Sequence, residues 1–309
     1  MKKVKSYIVV IFSGLLLYTA GCDNPAPTQL VQDNPDSQNP VQVQVLTKDT
    51  SNEYYSNGFD TTGVATNYSG NTDVITISGV KTTAAGITTN NYLAQAIFFD
   101  RSKPIFTSKG KMMGYGTRNL GEVRFNSQIA SIIPYYLRFN DSGVHVVDSL
   151  GVQYLRSGSL NPFGFVYNSS VSFQLIKRRM IGMGRDTISF DIPTPDEITG
   201  SIDLSGSKAN QTLNAVLHWN KSYVANDTIE VILGVKVRGT NISFPLYMLE
   251  AKDSGKLTVP PKLLNGIPFA NYDRLVFTFV RRLESQQNIQ GNDLTVLSQS
   301  IHSFIIKIP

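Results

Sequence analysis

"TIEVILGVKVR", residues 228–238, decides the fold. Ile229, Val231, Leu233, Val235 and Val237 occupy every second position of it. Residues two apart share one face of an extended chain, whereas a helix needs apolar spacings of three and four. The stretch therefore predicts a strand with a continuous buried face. The same period recurs on both sides of it. "VQVQVL" (41–46) alternates valine with glutamine. "VSFQLIK" (171–177) aligns Val171, Phe173 and Leu175, and "DTISFDI" (186–192) aligns Ile188, Phe190 and Ile192. "RLVFTFVR" (274–281) aligns Leu275, Phe277 and Phe279, and "HSFIIKI" (302–308) aligns Phe304, Ile306 and Ile308.

Turn-forming clusters separate these runs: "NDSG" (140–143), "GMGRD" (182–186), "SGSKAN" (205–210), "KDSG" (252–255) and "QGND" (290–293). They supply the Gly, Asn and Asp that reversing chains need. No sustained 3.6-residue pattern occurs; only "PPKLLN" (260–265) offers one Pro-led helical turn. The expected fold class is all-β, built as two antiparallel β-sandwich domains. The prolines of "IPTPDEITG" (192–200) break the strand pattern and put a boundary there, giving domains at 41–195 and 196–309. The second has the size and the roughly seven strands of an immunoglobulin-like sandwich. In "TLNAVLHWN" (212–220), Trp219, the only tryptophan, shares a face with Ala215 and Leu217 and is expected in its core. "DSGKLTVPPKLLNGIP" (253–268) resembles a stretch of immunoglobulin-like modules in uncharacterised bacterial surface lipoproteins, and the resemblance implies that module for 196–309. Residues 41–195 resemble no family and read as a larger all-β domain.

At the amino terminus, Lys2, Lys3 and Lys5 precede the apolar run "YIVVIFSGLLLY" (7–18) and the small residues Thr19, Ala20 and Gly21. Basic, apolar and small segments in that order make a secretory signal peptide over 1–21. The apolar run spans roughly 18 Å as a helix, short of the ~30 Å hydrocarbon core. "TAGC" (19–22) resembles the lipobox of bacterial lipoproteins, which implies lipid on the Cys22 sulfur, cleavage before Cys22 and acylation of the new amino terminus. Two or three acyl chains anchor stably where one does not. Cys22 is the only cysteine, so no disulfide can form within the chain. Residues 22–40 are expected as the lipidated Cys and a disordered Pro- and Asp-rich tether. The expected location is the bacterial cell envelope, on a periplasmic or surface-exposed face of a membrane.

Charge narrows the partners. Removing Lys2, Lys3 and Lys5 from the 28 basic residues leaves 25 against 23 acidic ones. A balance so near neutral argues against nucleic acid. Seven Asn-x-Ser/Thr triplets follow from an Asn- and Thr-rich composition and carry no glycosylation signal in a bacterium.

Residues that could do chemistry are sparse. His145, His218 and His302 lie at no metal spacing and read as solvated or hydrogen-bonded strand residues. There is no GxSxG elbow and no calcium loop, and the glycine pairs of "GYG" (114–116) and "GMG" (182–184) lack a strand–loop–helix context. No cofactor or metal is expected. Asp100, Glu122, Asp148, Asp191 and Glu230 lie on or near strands, and a pair of them at glycosidase spacing is the alternative reading, a glycan-acting hydrolase. "KRRMIGMGR" (177–185) brings Lys177, Arg178, Arg179 and Arg185 around one turn, and Arg281 and Arg282 add to the basic count. These four, with Tyr135 and Tyr136 of "PYYLRF" (134–139), are the candidate contacts for an anionic glycan or protein. The bland expectation for the basic run is a solvated hairpin tip that deters edge pairing. The sequence thus points to a lipid-anchored envelope protein with a binding or assembly role, a glycan or protein as partner, and no catalysis.

Overall fold

The computed structural model describes residues 29–30, 41–45, 72–110, 112–141, 144–178, 185–222, 228–240, 243–289 and 292–309. Cys22 and Arg179 lie outside them. Among the described residues the fold is all-β. The strands are β1 (Gln29–Leu30), β2 (Gln42–Val45), β3 (Asp73–Ala84), β4 (Ile87–Ile97), β5 (Phe99–Phe106), β6 (Met112–Thr117), β7 (Glu122–Phe125), β8 (Gln128–Ile129), β9 (Ser131–Asp141), β10 (Val144–Gly158), β11 (Ser170–Arg178) and β12 (Arg185–Pro193). They continue with β13 (Gly200–Ser205), β14 (Asn214–Trp219), β15 (Thr228–Val237), β16 (Ser243–Lys252), β17 (Lys256–Thr258), β18 (Tyr272–Ile289) and β19 (Asn292–Lys307). The expected helical turn is α1 (Pro261–Asn265), opened by its own proline.

One ten-stranded sheet runs through the molecule in the order β1-β2-β16-β15-β18-β19-β3-β4-β10-β9. Its pairings are antiparallel except one: β19 lies parallel to β3, from Leu294 beside Asp73 to Ile305 beside Ala84. That pair joins strands from opposite ends of the chain. Two smaller sheets, β12-β11-β7-β8 and β13-β14-β17, complete the two sandwiches.

Both cores rest on the same face of the large sheet. Along β19, Leu294 and Val296 enter one core, while Phe304 and Ile306 pack against the other. These are all even-numbered, and residues two apart point the same way. The first core holds Ile75, Ile77, Phe98, Val123, Phe125, Phe173 and Leu175, with Phe125 set edge-on to Phe173. The second holds Ala215, Leu217, Trp219, Ile229, Val231, Leu233, Phe277 and Phe279. Val41 and Val43, from the other end of the chain, belong to it as well. Residues 200–307 supply the seven strands β13 to β19, split between the three-stranded sheet and the β16-β15-β18-β19 run of the large one.

The opposite face carries smaller clusters. Val80, Ile232, Val280 and Ile301 form one. Val74, Ile97 and Phe99, with Tyr115 and Tyr135 against them, form another beneath the β5–β6 hairpin. Polar residues on this face bond across strands: Ser78 donates to Gln299 at 3.2 Å, and Thr278 and Ser303 lie 2.9 Å apart.

Candidate functional site

The segment 194–199, between the two small sheets, is not a loose linker. The Ile198 N–H donates to Ser300 Oγ at 2.8 Å, that of Thr199 to Asn220 Oδ1 at 2.6 Å, and that of Gly200 to His302 Nδ1 at 3.2 Å. It closes over a polar junction between the cores. The floor is the parallel pair β3–β19, where Gly79 lies beside Ser300 and Lys81 beside His302. Gly79 leaves room for Tyr167: a Cβ there would stand 2.5 Å from the tyrosine oxygen. Tyr167 is hydrogen-bonded to Ser300, and burial, Glu197 and Tyr92 push its hydroxyl above the ordinary tyrosine range. Lys81 Nζ pairs with Glu197 at 2.7 Å.

His302 is fixed at both ring nitrogens. Nδ1 accepts from Gly200, so Nε2 carries the proton and donates to Thr83 Oγ1 at 2.9 Å. Burial, and then Lys81, lower its pKa to about 4, against the opposing pull of Glu197. The imidazole is neutral, with no lone pair left for a substrate. Its role here is to latch the segment after residue 199 to the large sheet.

A second network adjoins the latch. Asp253 accepts from the Trp219 indole at 2.6 Å and from the Ser222 N–H at 3.0 Å. Its Oδ2 also takes Arg281 Nη2 at 2.7 Å and Nε at 3.1 Å. The rest of the guanidinium donates to the carbonyls of Asn220, Asp196 and Glu197. Arg281 is therefore an interior residue, which corrects its counting with the surface basic run. Charged groups out of water need this kind of multiple bonding. Arg282 points to the other face and pairs with Glu230 at 2.9 Å.

The expected contact residues are scattered. Lys177 and Arg178 end β11 and face Asp186 and Arg185 of β12, so the basic run does flank a hairpin. Lys177 is partly buried; burial and Arg118 lower its pKa, opposed by Asp186 and Asp73. Asp73 itself is raised by burial, against the Phe99 N–H, Arg118 and Arg101. Arg118 lies 3.7 Å from Asp73, so Lys177 belongs to a mixed-sign cluster rather than to a purely cationic tip. Tyr135 and Tyr136 separate: Tyr135 packs with Val74, Ile97, Phe99 and Tyr115, while Tyr136 is 39% exposed.

Tyr136 lies on β9, which ends the large sheet and has no neighbour on its outer side among the described strands. Ile132 on the same strand, Val147 on β10 and Ile129 on β8 are exposed with it. The sequence marks this stretch only by its aromatics: Ile132 and Ile133, and Tyr135, Tyr136 and Leu137, are consecutive, so no clean alternation announces the strand, and no local pattern says which strand ends a sheet. Among the carboxylates, Glu230 stands opposite Glu250 in the β15–β16 ladder. Burial raises the Glu230 pKa, Arg282 opposes this, and Glu250 and Glu284 add to the rise. Among the described residues no group of His, Cys, Asp and Glu is arranged to hold a metal ion, and no helix is long and apolar enough to cross a membrane. Comparison with protein families, characterised proteins and solved structures gives no match to this chain.

Proposed function

We propose that this chain is a lipid-anchored protein of the bacterial cell envelope that binds a protein partner and performs no catalysis, with Cys22 as the lipid site. The observation that carries the binding role is β9, which has no outer neighbour among the described strands, with Ile132 and Tyr136 exposed on it. An extended segment of a partner can add to such an edge, its backbone pairing for affinity and its side chains selecting for register. Pro134 has no N–H to offer, so added pairing would run from Tyr135 to Asp141. The partial burial of Tyr135 leaves Tyr136 as the more exposed ring of the pair, which suits a hot spot in a protein contact better than a sugar-stacking platform. The strand order of residues 200–307, three strands facing four, supports an immunoglobulin-like module as the scaffold.

A photocrosslinking residue at position 136 or 132, in the cell envelope, should give one discrete protein adduct, absent when the probe is at exposed Lys221. No adduct from either β9 position overturns the reading.

One observation favours the hydrolase: Glu230 and Glu250 are directly opposed and the Glu230 carboxyl holds its proton more tightly than usual. Directly opposed strand residues bring side chains to about 5 Å, near the spacing of retaining glycosidases. Release of sugar from envelope glycans, lost in Glu230→Gln and in Glu250→Gln, would install this reading.

A further inference from the structure

The β5–β6 hairpin has a fixed base and an apolar, basic tip. At the base, Phe99 and Tyr115 pack with Val74, Ile97 and Tyr135 against the large sheet. Toward the tip, Arg101, Ser102, Lys103 and Pro104 are all exposed, and Phe106 stands directly across from Met112. Those two side chains are 54% and 42% exposed. The turn between them closes with the Gly110 N–H on the Thr107 carbonyl at 2.9 Å, Gly110 taking a positive φ of 78°. Phe106 and Met112 thus form a small exposed apolar pair rimmed by polar residues, the kind of feature that marks a contact with a protein or a membrane.

The charges of this hairpin are predominantly positive. Residues 99–117 hold Arg101, Lys103, Lys109 and Lys111 against the single acid Asp100. The Lys103 side chain is 71% exposed and its 3.4 Å pair with Asp100 is a solvated one. An aromatic and a thioether flanked by lysines match the two layers of an anionic bilayer surface, acyl boundary and headgroups.

We propose that the β5–β6 hairpin docks on an anionic lipid surface, with Phe106 and Met112 entering the acyl boundary and Lys103 and Lys109 meeting the headgroups. The proposal rests on the envelope location but not on lipidation. It gives the folded part a reversible membrane contact of its own.

The test uses the chain from residue 23 onward, which contains every described residue and carries no lipid. Flotation is measured with vesicles of phosphatidylcholine alone and of phosphatidylcholine with 30% phosphatidylglycerol, at low and at physiological salt. The expected result is flotation with the anionic vesicles only, weakened by salt. Lys103→Ser with Lys109→Ser should lower partitioning roughly 30-fold, at about 1 kcal/mol per lysine. Phe106→Ser with Met112→Ser should abolish flotation at physiological salt. Both variants change exposed side chains, so their thermal midpoints should match the parent and separate lost docking from lost fold. No flotation of the parent with anionic vesicles overturns the proposal, as does flotation that both variants retain. Either failure leaves the reading of Cys22 standing, since no lipid is attached in this assay.

Discussion

The Asp253 carboxylate lies 2.7 Å from the Arg281 guanidinium, and both side chains are only 3% exposed. The pair holds the entry of the segment 196–199, the strand end after Trp219 and the turn after β16 in one place. Removing one partner leaves a buried charge without compensation, which typically costs about 3–5 kcal/mol. Asp253→Ala should therefore lower the denaturation midpoint sharply. Arg124→Ala, which breaks the half-exposed pair with Glu122, should cost no more than about 1 kcal/mol. Equal effects in the two variants would show that the interior pair has no special weight.

Trp219 is buried against Phe279 at 6.0 Å between ring centres, and its N–H is taken by Asp253. As the only tryptophan it reports on this core directly. Native emission should lie to the blue of free tryptophan and resist iodide quenching. Trp219→Phe keeps a ring but loses a bond to a charged group, at about 1.5–3 kcal/mol. That loss should be smaller in an Asp253→Asn background, because the two residues share one network.

His302 makes stability depend on pH. An unfolded imidazole titrates near 6.5, and the folded one near 4. Between those values the unfolded chain binds a proton that the native chain does not. The contribution is complete above about pH 6.5 and is lost as pH falls toward 4, at most roughly 3 kcal/mol in all. His302→Gln can keep one donor and one acceptor but cannot titrate. The difference in unfolding free energy between parent and variant should shrink or reverse across that window, and a difference constant with pH would count against the latch.

Gly79 is small because Tyr167 lies over it. Gly79→Ala puts a methyl group 2.5 Å from the tyrosine oxygen and 2.8 Å from the Phe165 ring. The ring must shift and its bond to Ser300 must stretch, and forced repacking of this kind costs about 1–3 kcal/mol. A midpoint unchanged in Gly79→Ala would mean that Tyr167 does not rest on the sheet.

The strands were legible because alternation is local. "TIEVILGVKVR" and "RLVFTFVR" became β15 and β18, with the predicted faces buried except at Val237, which follows a register shift and is half-buried. The same rule held a signal that was read past: Arg281 continues the inward phase of Leu275, Phe277 and Phe279, and His302 that of Phe304 and Ile306. A charged or titratable group in an inward phase requires a buried partner. The partners lay elsewhere in the chain. Thr83 and His302 are 219 residues apart, brought together by the parallel pairing of β3 with β19. Pairing at that separation is a property of the folded sheet, and no local pattern encodes it. For the same reason β9 was legible only as the aromatic cluster "PYYLRF" (134–139), neither as a strand nor as the end of a sheet.

The proposed lipid anchor is tested most directly at Cys22. Cells expressing the chain are fed a palmitate analogue, and the mature protein is recovered for labelling and for the intact mass of its first peptide. Label is expected on a chain that begins at Cys22, and an unlabelled, uncleaved precursor in Cys22→Ser. Label that survives Cys22→Ser, or a mature chain that begins elsewhere and carries no lipid, would contradict it.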